Sequence, residues 1–158
     1  AAAVLPVADD GRILMVRQYR NALDRYTLEI PAGKLDDPAE PKAECAFREL
    51  EEETGYRVDS KEQLEYLMSL TTTVAFCDEA IDIFVAHHLI PSHQHLDEDE
   101  VINVVPCTLE ELEEMIYTAD HRWKDHCSDH GLCQKIPLPG QSGRAGRKKG
   151  RINSQNLT

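Results

Sequence analysis

Hydrophobic and polar positions along the chain predict strands on both sides of a central helix. Apolar runs at residues 1–7 and 12–19 flank Asp9-Asp10-Gly11, a turn signal, so we expect these two strands to pair as a hairpin. Short apolar or alternating runs predict further strands at residues 26–30, 64–70, 80–86 and 101–105. Strands before, between and after two helices indicate an α/β or α+β domain.

Two helices are predicted from periodicity and end signals. The first covers residues 40–54, where Pro41 suits the first helical turn and Gly55 suits the left-handed position just past the end. Its apolar stripe, spaced i, i+3, i+4 and i+7, consists of Ala43, Ala46, Phe47 and Leu50. The second covers residues 108–117 and begins at Thr108, a good N-cap.

The pattern is lost after residue 118. Residues 141–158 are rich in Gly, Ser, Arg, Lys and Asn and have few large apolar side chains, which predicts disorder. The histidines and cysteines of the tail match no standard zinc spacing. We therefore divide the chain into a domain over residues 1–118 and a basic tail over residues 119–158.

Composition and charge narrow the classes of partner. The chain of 158 residues has a net charge of −12, which disfavours nucleic acid, and no apolar stretch long enough to span a membrane. The charge is uneven: the tail is net +5 and the first 118 residues are net −17, so the domain suits divalent cations. The five cysteines are odd in number and follow no disulfide framework, which favours free thiols and a cytoplasmic location.

Three carboxylates lie together on the first predicted helix. Glu49, Glu52 and Glu53 stand at i, i+3 and i+4, so they share one face, which we expect roughly opposite the apolar stripe. Like charges this close repel each other, and a divalent cation would turn the repulsion into coordination. Hard oxygen ligands suit Mg²⁺ or Mn²⁺ better than Zn²⁺. The alternative is a solvated acidic face without a ligand.

The surrounding residues resemble the Nudix box. Its fixed positions are filled by Gly33, Glu40, Arg48, Glu49, Leu50, Glu52, Glu53, Gly55 and Tyr56. The chain departs from the pattern once, with six residues instead of five between Gly33 and Glu40. The resemblance implies the α/β class, as the Nudix α/β/α sandwich with a mixed sheet. It also implies hydrolysis of a diphosphate linked to a nucleoside.

The resemblance assigns roles to the residues of the box. Glu49, Glu52 and Glu53 would hold Mg²⁺ together with the carbonyl of Ala32, and Glu52 would also belong to the catalytic set. Arg48 would orient a glutamate through a salt bridge. The alternative for Arg48 is a surface ion pair without a catalytic role.

The flanks of the box resemble ADP-ribose pyrophosphatases, at residues 16–20 and 28–35. This implies substrate contacts from four residues, namely Arg20, Glu29, Lys34 and Glu79. The loop before Glu79 lacks the Ser-Pro-Gly of the commoner version. In the acidic loop at residues 95–100, the resemblance makes Glu98 the general base and Glu100 a metal ligand, with the reverse order left open.

The expected activity is Mg²⁺-dependent hydrolysis of ADP-ribose to AMP and ribose 5-phosphate. The alternatives are hydrolysis of another nucleoside diphosphate derivative, such as a sugar nucleotide or dinucleoside polyphosphate, and a binding module without turnover. The resemblance ends at Tyr117. Relatives have strands before this chain's first residue, so we expect a homodimer to be weakened by their absence.

The tail has two interpretations. It is either a disordered extension or the product of a shifted reading frame near Thr118, since residues 119–130 read one base out of frame permit the Asp-x-Lys-Thr helix motif of the relatives. On the second interpretation, the final helix of the sandwich is missing.

Overall fold

A computed structural model of the chain describes residues 1–73, 75–98 and 100–118. These residues form nine strands and two α-helices. The strands are β1 (Ala2–Pro6), β2 (Ile13–Arg20), β3 (Arg25–Glu29), β4 (Ala32–Gly33), β5 (Tyr56–Arg57), β6 (Glu65–Thr71), β7 (Ala80–Ala86), β8 (Ile90–Pro91) and β9 (Ile102–Cys107). The helices are α1 (Lys42–Thr54) and α2 (Leu109–Tyr117).

The strands form two main sheets and one short pair. The first sheet has the order β4-β1-β7-β6 and is mixed. Strands β1 and β7 pair in parallel, whereas β4 pairs β1 and β6 pairs β7 in antiparallel orientation. The second sheet has the order β3-β2-β9 and is antiparallel. Strands β5 and β8 form an antiparallel pair of two residues each. The expected mixed sheet is confirmed.

Two hydrophobic cores lie on opposite faces of the central strands β1 and β7. The first core joins Leu5 and Ile83 to residues of β2, β3 and β9, and Leu112 of α2 packs there. The second core joins Val4 and Phe84 to α1. Alternation along each strand sends neighbouring side chains to opposite faces, so one helix lies on each side of the mixed sheet. This arrangement confirms the α/β/α class.

The predicted hairpin between the first two strands is wrong. Gly11, with φ of 83°, makes the expected turn, but β1 and β2 share only the isolated bridge between Val7 and Ile13. Beyond that bridge they enter different sheets. The reason is that β1 is buried along its whole length and pairs β7 and β4 instead.

The helix ends follow the sequence closely. Helix α1 begins at Lys42, two residues later than predicted, because Pro41 is extended and takes the N-cap position. Gly55 ends the helix in the left-handed region, at φ of 69°. Thr108 caps α2 as predicted, and its side chain and that of Glu111 form a reciprocal capping box.

Among the described residues, no helix is both long and apolar enough to cross a membrane. The predictions for residues 119–158, namely disorder, a shifted frame and a missing final helix, lie outside the described residues.

Candidate active site

Helix α1 places two of the three predicted metal-binding carboxylates in the interior. Glu49 is 8% exposed and Glu53 is 7% exposed, whereas Glu52 is partly exposed. The expectation that this face lies opposite the apolar stripe is therefore wrong. A helix turns about 100° per residue, so Glu49 and Glu53 lie on the same side of Leu50, about 100° and about 60° from it, instead of opposite it. A solvated acidic face does not describe these two side chains.

The carboxyl group of Glu53 is the most perturbed acid of the site. It accepts a hydrogen bond from the backbone N–H of Ala32 at 2.9 Å. Its pKa is raised from 4.5 to about 8, chiefly by burial and also by the negative charges of Glu49, Glu100 and Glu29, while the hydrogen bond from the Ala32 N–H lowers it. Burial also raises the pKa of Glu49, with Arg48 opposing the shift. The site therefore holds two buried carboxyl groups whose ionised forms are disfavoured by burial.

Gly33 leaves room for the carboxylate of Glu49. A Cβ placed on Gly33 would lie 1.8 Å from Oε1 of Glu49, which is far inside van der Waals contact. The glycine at the start of the box thus has a steric function: any side chain there would displace Glu49.

Arg48 ties the helix to the loop before it. Its Nη1 donates to Oε1 of Glu49 and to Oε2 of Glu52, both at 2.8 Å, and its Nη2 donates to the carbonyl of Lys34 at 3.0 Å. Its Nε lies 3.7 Å from Oε1 of Glu40. The arginine side chain is 26% exposed, so these contacts are partly shielded from water. It therefore hydrogen-bonds two carboxylates of the cluster, those of Glu49 and Glu52.

A second arginine is held on the neighbouring sheet. Arg20 donates from Nε and Nη2 to the two carboxylate oxygens of Glu29, at 2.8 and 2.6 Å. The buried Thr27 hydroxyl donates to Oε1 of Glu29 at 2.5 Å. Hydrogen bonding to Glu29, together with the charges of Glu53 and Glu100, raises the pKa of Arg20. Arg20 therefore lies within electrostatic range of Glu53 and Glu100, while both oxygens of Glu29 accept hydrogen bonds inside the protein.

The acidic loop contributes one carboxylate to the cluster. After burial, the negative charge of Glu100 is one of the smaller causes that raise the pKa of Glu49 and Glu53, so Glu100 lies within electrostatic range of both. The backbone N–H of Glu100 donates to the carbonyl of Asp97 at 3.0 Å, which forms a turn. Glu98 is exposed on that turn.

Two predicted substrate residues, Lys34 and Glu79, have exposed side chains. The side chain of Lys34 is exposed, and only its carbonyl joins the site, through Arg48. Glu79 is exposed, and its carboxylate accepts a hydrogen bond from the hydroxyl of Thr72 at 3.2 Å. The structure thus brings together Arg20, Glu29, Ala32, Arg48, Glu49, Glu52, Glu53 and Glu100.

The NUDIX domain model matches residues 1–127. The chain belongs to the Nudix family. It is 42% identical over 118 residues to an ADP-ribose pyrophosphatase of Bacillus subtilis (strain 168), a match covering 73% of this chain and 62% of the relative. It is 43% identical over 113 residues to a methanol dehydrogenase activator of Bacillus methanolicus, covering 70% of this chain and 59% of that protein. The chain therefore spans about three fifths of the length of these two relatives.

A solved structure supports the same fold. The crystal structure of an ADP compounds hydrolase superposes with a TM-score of 0.68 at 25% identity, covering 84% of this chain and 68% of that one. Together with the mixed sheet and the two helices, this match confirms a Nudix-like fold.

Nudix hydrolases generally use a divalent metal, and the donors of this chain fit one. All candidate ligands are oxygens, two of the carboxylates are buried, and Gly33 makes room for one of them. Within the described ranges, however, no three His, Cys, Asp or Glu side chains already stand as a closed metal site. Arg48 occupies oxygens of Glu49 and Glu52 in this conformation. A metal ion would share or displace those contacts.

Sequence reasoning missed the residues that support the site. The hydroxyl of Thr27 donates a hydrogen bond to the carboxylate of Glu29. Gln94 donates from Nε2 to the carbonyl of Glu53 at 2.6 Å. The sequence gives only a weak signal for the role of Thr27, namely that a polar residue lies between apolar neighbours within β3. Nothing in the sequence marks Gln94, because its partner is a backbone carbonyl 41 residues away.

Proposed function

We propose that the chain is a Mg²⁺-dependent hydrolase of the diphosphate of ADP-ribose, releasing AMP and ribose 5-phosphate. One observation carries the proposal most strongly. Buried Glu53 and Glu49 lie within the electrostatic reach of Glu100, and their pKa values are raised chiefly because burial disfavours the ionised form, with the neighbouring carboxylates adding to the effect. A divalent cation would supply the missing positive charge.

The proposed metal ligands are Glu49, Glu52, Glu53, Glu100 and the carbonyl of Ala32. The Ala32 N–H holds the carboxylate of Glu53 in place, and Arg48 fixes the carboxylates of Glu49 and Glu52. When bound, Mg²⁺ would neutralise the oxygens of the diphosphate and lower the pKa of the attacking water, with Mn²⁺ as a substitute.

The proposed substrate contacts centre on Arg20. A guanidinium suits a phosphate fork or stacking on adenine, and this one is pre-oriented by two hydrogen bonds to Glu29. Glu29, which the resemblance nominated for the substrate, supports the proposal chiefly by orienting Arg20. Lys34 and Glu79 are exposed and stay proposed contacts with the outer part of the substrate.

The proposed reaction breaks one P–O bond of the diphosphate bridge and forms one between phosphorus and the oxygen of water. Glu98 takes the proton from water, because an exposed carboxylate on a loop can approach the reacting atoms. Glu100, which lies nearer the cluster, is the metal ligand of the pair. This order agrees with the one that the resemblance implied.

A panel of nucleoside diphosphate compounds tests the proposal. With Mg²⁺, ADP-ribose should give AMP and ribose 5-phosphate, and Glu53→Gln should abolish turnover while circular dichroism shows the fold intact. Glu113→Gln, a change of the same type on α2, should keep full activity. Turnover by Glu53→Gln at the wild-type rate would overturn the metal assignment.

The alternative is another ADP-linked diphosphate as preferred substrate. The solved structure that superposes on this chain is that of an ADP compounds hydrolase, which favours keeping this broader class. A higher kcat/KM for a sugar nucleotide or dinucleoside polyphosphate than for ADP-ribose would select it. The homodimer, the cytoplasmic location and the absence of a nucleic-acid partner stay predictions.

A further inference from the structure

Residues 92–95 lie along the C-terminal end of α1. The last four carbonyls of a helix have no partner inside the helix, and a buried end needs other donors. The backbone N–H of His95 donates to the carbonyl of Glu52 at 3.0 Å. The side-chain amide of Gln94 donates to the carbonyl of Glu53 at 2.6 Å. Two successive carbonyls of α1 are therefore satisfied by one short segment.

The first residue of the same segment, Ser92, is also hydrogen-bonded to the end of α1 and to Gly55. The backbone N–H of Ser92 donates to the carbonyl of Gly55 at 2.7 Å, and its hydroxyl donates to Oε1 of Glu51 at 2.5 Å. Before it, β8 pairs β5 in antiparallel register. Residues 90–95 thus run antiparallel to the end of the helix over its last turn and the following strand.

The contact between residues 92–95 and α1 joins the helix and the acidic loop, which carry the two parts of the proposed metal site. The carbonyls that it holds belong to Glu52 and Glu53, whose side chains are proposed ligands. The chain then continues directly into the acidic loop that carries Glu98 and Glu100. A few residues of loop separate the last anchor, His95, from these carboxylates, so a shift of the anchor moves them relative to the helix.

We infer that Gln94 is a positioning residue: its amide clamps the start of the acidic loop to α1 and thereby sets where Glu98 and Glu100 stand. The inference rests on the proposed function. Ser92 and His95 contribute backbone N–H groups that any non-proline residue would supply, and the hydroxyl of Ser92 contacts Glu51, which is not a proposed ligand. The contact of Gln94 depends on its side chain, so this residue makes the clamp specific to the sequence.

Gln94→Met tests the clamp, because methionine keeps the length of the side chain but cannot donate to the Glu53 carbonyl. With ADP-ribose and Mg²⁺, kcat should fall about tenfold and KM should change less than about twofold, since the loss of one oriented hydrogen bond misplaces the loop. The melting temperature should stay within about 2 °C, because the backbone contacts remain. Hydrogen exchange at residues 95–98 should become faster.

The matched control is Gln63→Met. The side chain of Gln63 accepts a hydrogen bond from the backbone N–H of Asp59 at 2.9 Å, in an exposed turn. This variant should keep wild-type kcat and wild-type exchange in the loop. Wild-type kcat and exchange in Gln94→Met would overturn the inference. So would a loss of kcat that only follows a lowered melting temperature.

The exchange measurement separates this inference from the proposed function. A wild-type chain that hydrolyses none of the panel compounds would end the proposed function. In that case faster exchange at residues 95–98 in Gln94→Met would still support the clamp, and unchanged exchange would overturn it.

Discussion

At the residue scale, the missing Cβ of Gly33 decides where a carboxylate can stand. Gly33→Ala should displace Glu49, since the new Cβ would lie 1.8 Å from its Oε1. We expect kcat for ADP-ribose to fall at least about tenfold, because a misplaced ligand weakens stabilisation of the transition state. The melting temperature should change little, since the obstacle is the end of a flexible side chain. Steady-state kinetics and thermal melting check both expectations.

Gly11→Ala provides the converse control. Gly11 has φ of 83° with open space around it, so alanine there is strained but obstructs nothing. It should lower the free energy of unfolding by about 1 kcal/mol and leave kcat unchanged. Identical behaviour of the two variants would contradict the steric function given to Gly33.

The two hydrogen bonds between Arg20 and Glu29 lead to a separate prediction. Arg20→Lys keeps the charge but cannot make both hydrogen bonds to Glu29, so KM for ADP-ribose should rise about fivefold. Arg17→Lys is the control on the same strand, because Arg17 stacks on the ring of Tyr26 at 3.7 Å. Its KM should equal that of the wild type. An unchanged KM in Arg20→Lys would remove Arg20 from the substrate site.

Sequence spacing identified the carboxylates but not their surroundings. The i, i+3, i+4 pattern of Glu49, Glu52 and Glu53 put them on one face. Their burial depends on how α1 packs against the sheet, so the pattern alone left a solvated face open. The support from Thr27 and Gln94 depends on contacts between distant segments, which no local pattern encodes.

At the element scale, the capping box of α2 stabilises a helix that closes the first core. Thr108→Ala removes the hydrogen bond from the Glu111 N–H, at 3.2 Å, and should lower the free energy of unfolding by about 1 kcal/mol. Thr108→Ser keeps the hydroxyl and should behave as the wild type. Urea unfolding measures both, and kcat should not change, since α2 holds no proposed site residue. Equal stability of all three proteins would show that the cap contributes nothing.

Local sequence signals predicted where helices begin and end better than they predicted which strands pair. Gly55 and Thr108 mark helix ends by their own backbone chemistry, so these boundaries were found from sequence. The hairpin of β1 and β2 was wrong because a turn signal fixes only the turn. Which partner β1 takes was decided by burial on both of its faces, a property of the whole sheet.

At the scale of the whole molecule, the buried acids couple stability to pH and metal. The pKa of Glu53 is about 8 in the folded chain and near 4.5 when the chain unfolds. Between these values the folded state binds the extra proton, so stability from this group is complete below about pH 4.5 and is lost as the pH rises through 8. Metal-free protein should therefore lose roughly 1–3 kcal/mol of unfolding free energy between pH 5 and pH 8.

Chelator-treated protein and two variants check this dependence. Glu53→Gln should flatten the pH slope of the melting temperature, leaving a remainder from Glu49, whose pKa is also raised. Glu113→Gln should keep the wild-type slope. Saturating Mg²⁺ should reverse the slope in the wild type, since coordination requires ionised carboxylates. Equal slopes in Glu53→Gln and wild type would contradict the assigned burial effect.

The most direct measurement is the anomalous scattering of a crystal soaked with Mn²⁺ and a non-hydrolysable analogue of ADP-ribose. Metal peaks should appear about 2.2 Å from carboxylate oxygens of Glu49, Glu52 and Glu53, with the diphosphate bound against the same ions. A bound analogue with no metal at these carboxylates, or side chains turned into solvent with the site empty, would contradict the proposed function.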